Sequence, residues 1–121
     1  MELTPKEIMN ETVLALDSKK GQDIRVIKIE NISVLCDYFV ICTGTSTTQI
    51  KSLSDEVDAR LLSRGVSALR NEGYSSGSWI VMDYASVIVH LFSGDMREFY
   101  KLEKLWADGE DIDVSAIIGA N

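Results

Sequence analysis

The sequence contains only three cysteine and histidine side chains, the residue types that most often bind zinc or pair as nucleophile and base: Cys36, Cys42 and His90. The cysteines form no CxxC pair and His90 is the only histidine, so the four ligands of a tetrahedral zinc site do not assemble. A nucleophilic serine or cysteine would need a neighbouring base, and His90 offers the only imidazole. We therefore predict no metal ion and no other cofactor. His90 is expected to be a packed or interface residue, with a catalytic role as the less favoured alternative.

A second candidate for chemistry is Gly44-Thr45-Ser46, which lies between an apolar run and a helical pattern. It resembles the Gly-Ser entrance of nucleotidyltransferases, where the N-terminus of a helix faces phosphate. Two-metal transfer would also need paired carboxylates on the next strand. The segment predicted as that strand, Val66–Arg70, contains no acid, and Asp55 and Asp58 fall inside the intervening helix. A nucleotide-binding or nucleotidyltransferase-related enzyme with rearranged carboxylates therefore stays as the alternative function.

Aromatic and acidic residues alternate in the last third of the chain. An aromatic side chain supplies apolar contact area, and a carboxylate beside it pairs with Arg or Lys of a partner. This combination predicts an interface for a basic protein, although the two tryptophans fit a core equally well. The aromatic residues are Trp79, Tyr84, Tyr100 and Trp106, and the acids are Asp83, Glu98, Glu103 and Asp108.

The composition restricts the classes of protein and partner that fit the sequence. The chain has 121 residues, 45% of them hydrophobic, which suits one domain with its own core. It carries 12 Lys and Arg against 19 Asp and Glu, a net charge of −7, which disfavours free nucleic acid and anionic membranes as ligands. We expect no signal peptide, no membrane-spanning segment and no disulfide scaffold, and therefore a soluble protein of the reducing cytoplasm.

The elements that must position these residues begin with three helices. Each predicted helix opens on a capping box, continues with apolar residues at helical spacing, and ends near a glycine. The boxes are Thr4–Glu7, Ser46–Gln49 and Asp95–Glu98, and the terminating glycines are Gly21, Gly65 and Gly109.

Five further segments predict strands. Tyr38–Thr43 is continuously apolar, which is typical of a central strand buried on both faces. Trp79–Asp83 and Val87–Phe92 flank a short turn and predict an antiparallel hairpin. The others are Asp23–Glu30 and Val66–Arg70, and Val66–Arg70 is expected to pair in parallel with Tyr38–Thr43 across the second helix. The sequence therefore predicts a single α/β domain, with a mixed sheet and the order α-β-β-α-β-β-β-α.

Acidic residues are concentrated at the C-terminal end. Beyond Lys104 come Asp108, Glu110, Asp111 and Asp113, with no basic residue among them. We predict a domain over residues 1–109 and an acidic tail over residues 110–121. A solvated, frayed terminus is the favoured structure for that tail.

Several motifs resemble those of the Iojap family, the ribosomal silencing factors (RsfS). They follow one another in the order of that family, cover nearly the whole chain up to Trp106, and are far more specific together than singly. They are Cys36–Ser46, which contains Asp-Tyr-Phe-Val-Ile, then Glu72-Gly73, Trp79–Asp83, Val89–Phe92, and Arg97–Trp106, which resembles R-x-F-Y-x-L-E-x-L-W.

The resemblance implies an α/β sandwich related to nucleotidyltransferases but without their active site, and a translation factor that is not an enzyme. Such proteins bind the large ribosomal subunit through ribosomal protein fourteen (uL14), obstruct joining of the small subunit and damp translation when nutrients are short. Organellar relatives assist large-subunit assembly. A homodimer is a further expectation, because aromatic residues are dense near the C-terminus. The residues that match the family pattern on the expected docking side are Trp79, Asp83, His90, Tyr100, Glu103 and Trp106.

Overall fold

A computed structural model of the chain describes residues 3–30, 34–105 and 107–119, without the side chains of Phe99, Tyr100, Glu103 and Leu105. The helices are α1 (Pro5–Ser18), α2 (Thr47–Leu62), α3 (Gly94–Tyr100), α4 (Leu102–Leu105) and α5 (Val114–Gly119). The strands are β1 (Gln22–Lys28), β2 (Tyr38–Gly44), β3 (Arg70–Glu72), β4 (Trp79–Asp83), β5 (Val87–Ser93) and β6 (Glu110–Ile112). They form one mixed sheet in the order β3-β4-β5-β2-β1-β6, flanked by helices, which confirms the predicted fold class.

One face of the sheet, called the covered face below, packs against α1, α2 and α5. Its strand residues join the apolar faces of α1 and α2 in the larger of two hydrophobic clusters. The first two helices begin where their capping residues predict. Thr4 and Glu7 form the reciprocal capping box of α1, and the Ser46 hydroxyl accepts the Gln49 N–H at the start of α2. The fully buried strand residues of this cluster include Val26, Val40, Cys42, Ile80, Met82, Val87, Val89 and Leu91.

The opposite face of the sheet, called the second face, carries a smaller hydrophobic cluster. Ile27, Phe39, Ile41 and Phe92 are buried there, and Met96 of α3 and Leu102 of α4 pack against them. Val26 and Ile27 therefore point into different clusters, so both faces of β1 are partly covered. The short α3 and α4 contribute to only part of this face, since α3 contacts β2 and β5.

The partner of the central strand differs from the prediction. β2 pairs in parallel with β5, from Tyr38↔Val87 to Gly44↔Ser93, and in antiparallel with β1. The predicted strand Val66–Arg70 is wrong, because β3 covers Arg70–Glu72 and pairs with β4 at the edge of the sheet. A segment that contains Ser67 and Arg70 lacks the two apolar faces that a place beside β2 demands, whereas β5 has them. The β4–β5 hairpin itself is confirmed.

The third predicted helix begins and ends differently. Ser93 caps α3 by accepting the Met96 N–H, so the predicted capping box at Asp95 and Glu98 is wrong. The helical run stops at Lys101, whose backbone adopts a left-handed conformation with φ 47°, and α4 follows as a separate turn. Ser93, the last residue of β5, thus occupies the capping position. Its hydroxyl lies next to the first N–H groups of α3, which have no partner within the helix.

The segment after Gly109 is also not frayed as expected. β6 pairs in antiparallel with β1, with Val26↔Ile112, Ile27↔Asp111 and Lys28↔Glu110. Asp111 binds Arg25 through two hydrogen bonds of 3.1 and 3.2 Å. α5 then returns over α1, and its partly buried apolar side chains extend the covered-face core. No helix in the described residues is long and apolar enough to cross a membrane.

Candidate protein-binding face

The alternation of β4 and β5 places their odd and even residues on opposite faces. Ile80, Met82, Val87, Val89 and Leu91 are fully buried on the covered face. The residues between them project from the second face and stay half-buried, because α3 and α4 cover only part of that face. We call this group the β4–β5 patch, and it consists of Trp79, Val81, Asp83, Ile88 and His90.

The centre of the patch is an aromatic group joined by a hydrogen bond. The Trp79 indole Nε1–H donates to His90 Nδ1 at 3.1 Å, and their rings lie 6.0 Å apart. The His90 ring also stands 5.4 Å from Phe39, and Trp79 stands 5.6 Å from Phe92. Both aromatic neighbours belong to the buried cluster of the second face. Trp79 and His90 therefore form a fixed platform whose outer surface is partly exposed.

This environment determines the charge state of His90. Burial lowers the pKa of the imidazole from 6.5 to about 4, because desolvation penalises the charged form. The hydrogen bond acts in the same direction, since Nδ1 accepts from Trp79 only when it carries no proton. His90 is therefore neutral near pH 7, and its remaining N–H is on Nε2. A group so held is suited to packing and hydrogen bonding.

The other end of the patch is polar. Asp83 accepts a hydrogen bond of 2.8 Å from the Ala85 N–H, which stabilises the β4–β5 turn where Ala85 has φ 68°. Its second oxygen lies 4.0 Å from Arg70 Nε, a loose surface ion pair. Asp83, Arg70 and Glu72 line a depression of about 140 Å³ together with Val81 and Ile88. The depression presents two carboxylates and one guanidinium beside apolar side chains.

Three of the six predicted binding residues thus lie on one surface. Trp79, Asp83 and His90 share the second face, as the hairpin register requires. Tyr100 and Glu103 lie in α3 and α4, but their side chains are outside the described part of the structure, and Trp106 is outside it altogether. The binding role of all six stays a prediction.

Four residues of this surface were not predicted from the sequence. Val81 and Ile88 complete the patch, and they could have been found by extending the alternation of β4 and β5. Arg70 and Glu72 come from β3, whose position could not be read from local pattern. Gly73 explains how the chain reaches β4. It has φ +88°, and a Cβ there would collide with the Trp79 carbonyl oxygen.

The remaining candidates for chemistry have structural roles. Burial raises the pKa of Cys36 to about 11 and that of Cys42 to about 12, so both thiols are protonated and poor nucleophiles at pH 7. A Cβ on Gly44 would lie 2.5 Å from Ile50 Cγ1, so this glycine permits close packing of α2. Within residues 3–30, 34–105 and 107–119, no three His, Cys, Asp or Glu side chains could together hold a metal ion.

A comparison with protein families identifies the chain. Residues 2–120 match the family model described as ribosomal silencing factor during starvation, RsfS. The chain belongs to the RsfS family, which includes the Iojap proteins. The match extends across β6 and α5, beyond the last motif quoted from the sequence.

Individual relatives agree with this membership of the RsfS family. The chain is 32% identical over 116 residues to a ribosomal silencing factor RsfS of Halalkalibacterium halodurans, covering 96% of this chain and 99% of the relative. It is 35% identical over 106 residues to the RsfS of Bacillus subtilis, covering 88% and 90%. A mouse protein named mitochondrial assembly of ribosomal large subunit protein 1 is 33% identical over 97 residues, covering 78% of this chain and 42% of the relative.

A solved structure supports the fold at the same level. A crystal structure of a Chromobacterium violaceum protein superimposes with a TM-score of 0.85 at 31% sequence identity, covering 92% of each chain. The fold described above is therefore similar to that of a solved structure over nearly its whole length.

Proposed function

We propose that this protein binds the large ribosomal subunit through ribosomal protein uL14 and blocks joining of the small subunit by its bulk. Translation would thereby be repressed when nutrients are limiting, without a catalytic step. The observation that carries the proposal is the β4–β5 patch, in which apolar, aromatic and acidic groups share one half-buried surface. Membership of a family of ribosomal silencing factors supports the ribosome as the partner.

The chemistry of the patch favours a basic protein over RNA as its partner. Trp79 offers apolar area on a rigid support, because His90 and Phe92 hold its ring. Asp83 and Glu72 flank a depression that suits the end of a Lys or Arg side chain. The net charge of −7 makes the surface as a whole repel ribosomal RNA, so docking through the β4–β5 patch is favoured where a basic protein surface is exposed.

The proposed contacts assign separate roles to the predicted residues. Asp83 and Glu103 pair with basic side chains of uL14, while Trp79 and Tyr100 supply apolar area. His90 positions the Trp79 indole through its hydrogen bond. Trp106 is proposed to supply further apolar contact area to the partner. The proposed place of action is the cytoplasm, where the two ribosomal subunits join.

A sucrose gradient of a cell extract tests the proposal directly. The protein should travel with free large subunits and be absent from joined ribosomes. Asp83→Lys, alone and combined with Glu103→Lys, should abolish this comigration, because a lysine repels the basic partner. The matched control is Asp17→Lys, which makes the same charge change on exposed α1 behind the covered face.

Two further measurements make the result specific. Asp83→Asn keeps an acceptor for the Ala85 N–H and removes only the charge, so it separates loss of attraction from loss of the turn. Circular dichroism should show native folding for every variant. Comigration of the Asp83→Lys protein at the wild-type level would exclude this residue from the interface. Comigration of the wild type with joined ribosomes would contradict the blocking mechanism.

A role in assembly of the large subunit is a second candidate, which the name of the mouse relative favours. Deletion of the gene should then leave precursor particles of the large subunit in the gradient even in rich medium. We also propose that the free protein is a homodimer that hides part of the docking side. Light scattering that shows a monomer at high micromolar concentration would contradict this.

A further inference from the structure

A basic cleft lies at the opposite end of the sheet from Asp83. It has a volume of about 680 Å³ and is bounded by the start of β1, the end of β2, and the α3–α4 segment. Arg25, Arg97, Lys101 and Lys104 line it, with Asp23 and Glu98 as the acids. Four basic and two acidic groups give the lining a formal charge of +2, in a chain whose total is −7.

The two arginines build the walls of this basic cleft. Arg97 Nη1 donates to the Asp23 carbonyl oxygen at 2.6 Å and to Thr43 Oγ1 at 2.8 Å, which ties α3 to β1 and β2. Arg25 is held against Asp111 of β6 by a two-pronged ion pair with distances of 3.1 and 3.2 Å. The Arg97 charge is therefore fixed at the cleft before any ligand arrives, which lowers the entropy cost of binding. The Arg25–Asp111 pair is exposed on both sides, so it holds the Arg25 charge more loosely.

The two lysines of the cleft are more available. Lys101 Nζ lies 3.4 Å from Glu98, whose side chain is 81% exposed, so this pair is screened by water and weak. Lys104 is exposed and has no ion pair among the described side chains. Each ammonium can reach an anion that enters the cleft.

The backbone at this site is held in an uncommon conformation. Lys101 has φ 47° and Asp23 has φ 48°. Four of the described non-glycine residues have a positive φ, and these two belong to the cleft lining. Glycine is the usual residue at such a helix end, so a lysine there is uncommon. Residues in sparsely populated backbone conformations gather at functional sites, and Lys101 is one that lines the cleft.

We infer that the basic cleft binds phosphate groups of ribosomal RNA, while the β4–β5 patch contacts protein. The inference rests on the proposed function, since it concerns a second contact on the same subunit. Arginine and lysine side chains contact the phosphates of a nucleic acid without reading its bases, so the backbone phosphates are the groups recognised. A wide, open cleft also suits an extended backbone passing along the rim.

The test measures the affinity of the fluorescently labelled full chain for purified large subunits at several salt concentrations. Lys101→Glu with Lys104→Glu is compared with Lys6→Glu and Lys51→Glu, a matched pair on α1 and α2 outside the cleft. Both pairs change the net charge by the same amount. The cleft pair should weaken binding about tenfold more than the control pair. It should also reduce the slope of log Kd against log salt by about 1 to 2, as expected for two lost phosphate contacts.

The outcomes separate this inference from the proposed function. Absence of binding by the wild-type chain contradicts both. Equal affinities and equal salt slopes for the two variant pairs overturn the RNA contact and leave the proposed function intact. A melting temperature that rises with millimolar ATP only when Lys101 and Lys104 are present, with equal subunit affinities, would assign the cleft to a free nucleotide and also overturn the inference.

Discussion

The two faces of the sheet use the same strands for different purposes. On the covered face, β4 and β5 present Ile80, Met82, Val89 and Leu91, and every one is fully buried. On the second face, the intervening positions carry a tryptophan, an aspartate and a histidine that stay half-buried. A core requires only apolar residues of the right volume, so it does not explain a polar set. The difference separates positions that stabilise the fold from positions available for recognition.

The β4–β5 patch and the basic cleft extend this comparison along the second face. Thr43 and Trp79 flank Phe92 in one row of the sheet, while Asp83 pairs with Ile88 further along. The carboxylates of Asp83 and Glu72 thus lie toward one end, and the arginines and lysines of the cleft lie at the other. A molecule with this charge separation can orient itself between a basic protein and an anionic backbone.

Truncation of one aliphatic side chain on each face of β5 should produce the largest contrast. Leu91→Ala removes a fully buried side chain from the covered face and should lower the free energy of unfolding by about 2–5 kcal/mol. Ile88→Ala changes a residue of similar size in the same strand, but on the half-buried patch, and should cost clearly less. Urea unfolding followed by circular dichroism measures both. Equal losses would show that the patch is as much a core as the covered face.

The single histidine provides a second test through pH. Its pKa of about 4 in the folded state lies below the ordinary value of 6.5, so the unfolded chain binds a proton first as pH falls. His90 therefore stabilises the fold fully above pH 6.5, and that contribution of about 3 kcal/mol is lost as pH falls toward 4. His90→Gln should flatten the pH dependence of stability over this window.

Nuclear magnetic resonance gives the direct control for His90. The chain has one histidine, so its imidazole signals need no assignment among several. The signals should titrate with a pKa near 4 in the folded protein. A midpoint near 6.5 would mean that the Trp79–His90 pair is open to water and that the platform is not rigid. Trp79→Phe removes the indole donor and should raise the midpoint.

The smallest expected effect is at the cap of α2. It tests the alternative function, in which Gly44-Thr45-Ser46 would face the phosphate of a nucleotide. Ser46→Ala should lower the free energy of unfolding by about 1 kcal/mol, because its hydroxyl accepts the Gln49 N–H. Ser46→Asp should keep the stability, since aspartate caps helices equally well. If Ser46 faced phosphate instead, nucleotide with Mg²⁺ would raise the melting temperature of the wild type. Ser46→Asp would abolish that rise, because aspartate repels phosphate, whereas Ser46→Ala would keep it.

Much of the fold could be predicted because it depends on neighbours in sequence. Thr4 and Ser46 cap their helices by bonds that span three residues, and Tyr38–Thr43 shows by composition that both of its faces are buried. The candidate site was predictable only in part. Trp79, Asp83 and His90 follow from the hairpin register, whereas their neighbours Arg70 and Glu72 depend on a strand that the local pattern misplaced.

The sequence by itself determined the starts of α1 and α2, the buried central strand, the β4–β5 hairpin and membership of a family. Only the tertiary structure decided that β2 pairs with β5, that β6 closes the sheet beside β1, and that residues from β1, β2 and the α3–α4 segment share a basic cleft. The physical reason is range. Capping, alternation and turn formation are settled within a few residues. Strand order and the position of clefts depend on contacts between residues far apart in the sequence, which form when their apolar surfaces are buried together.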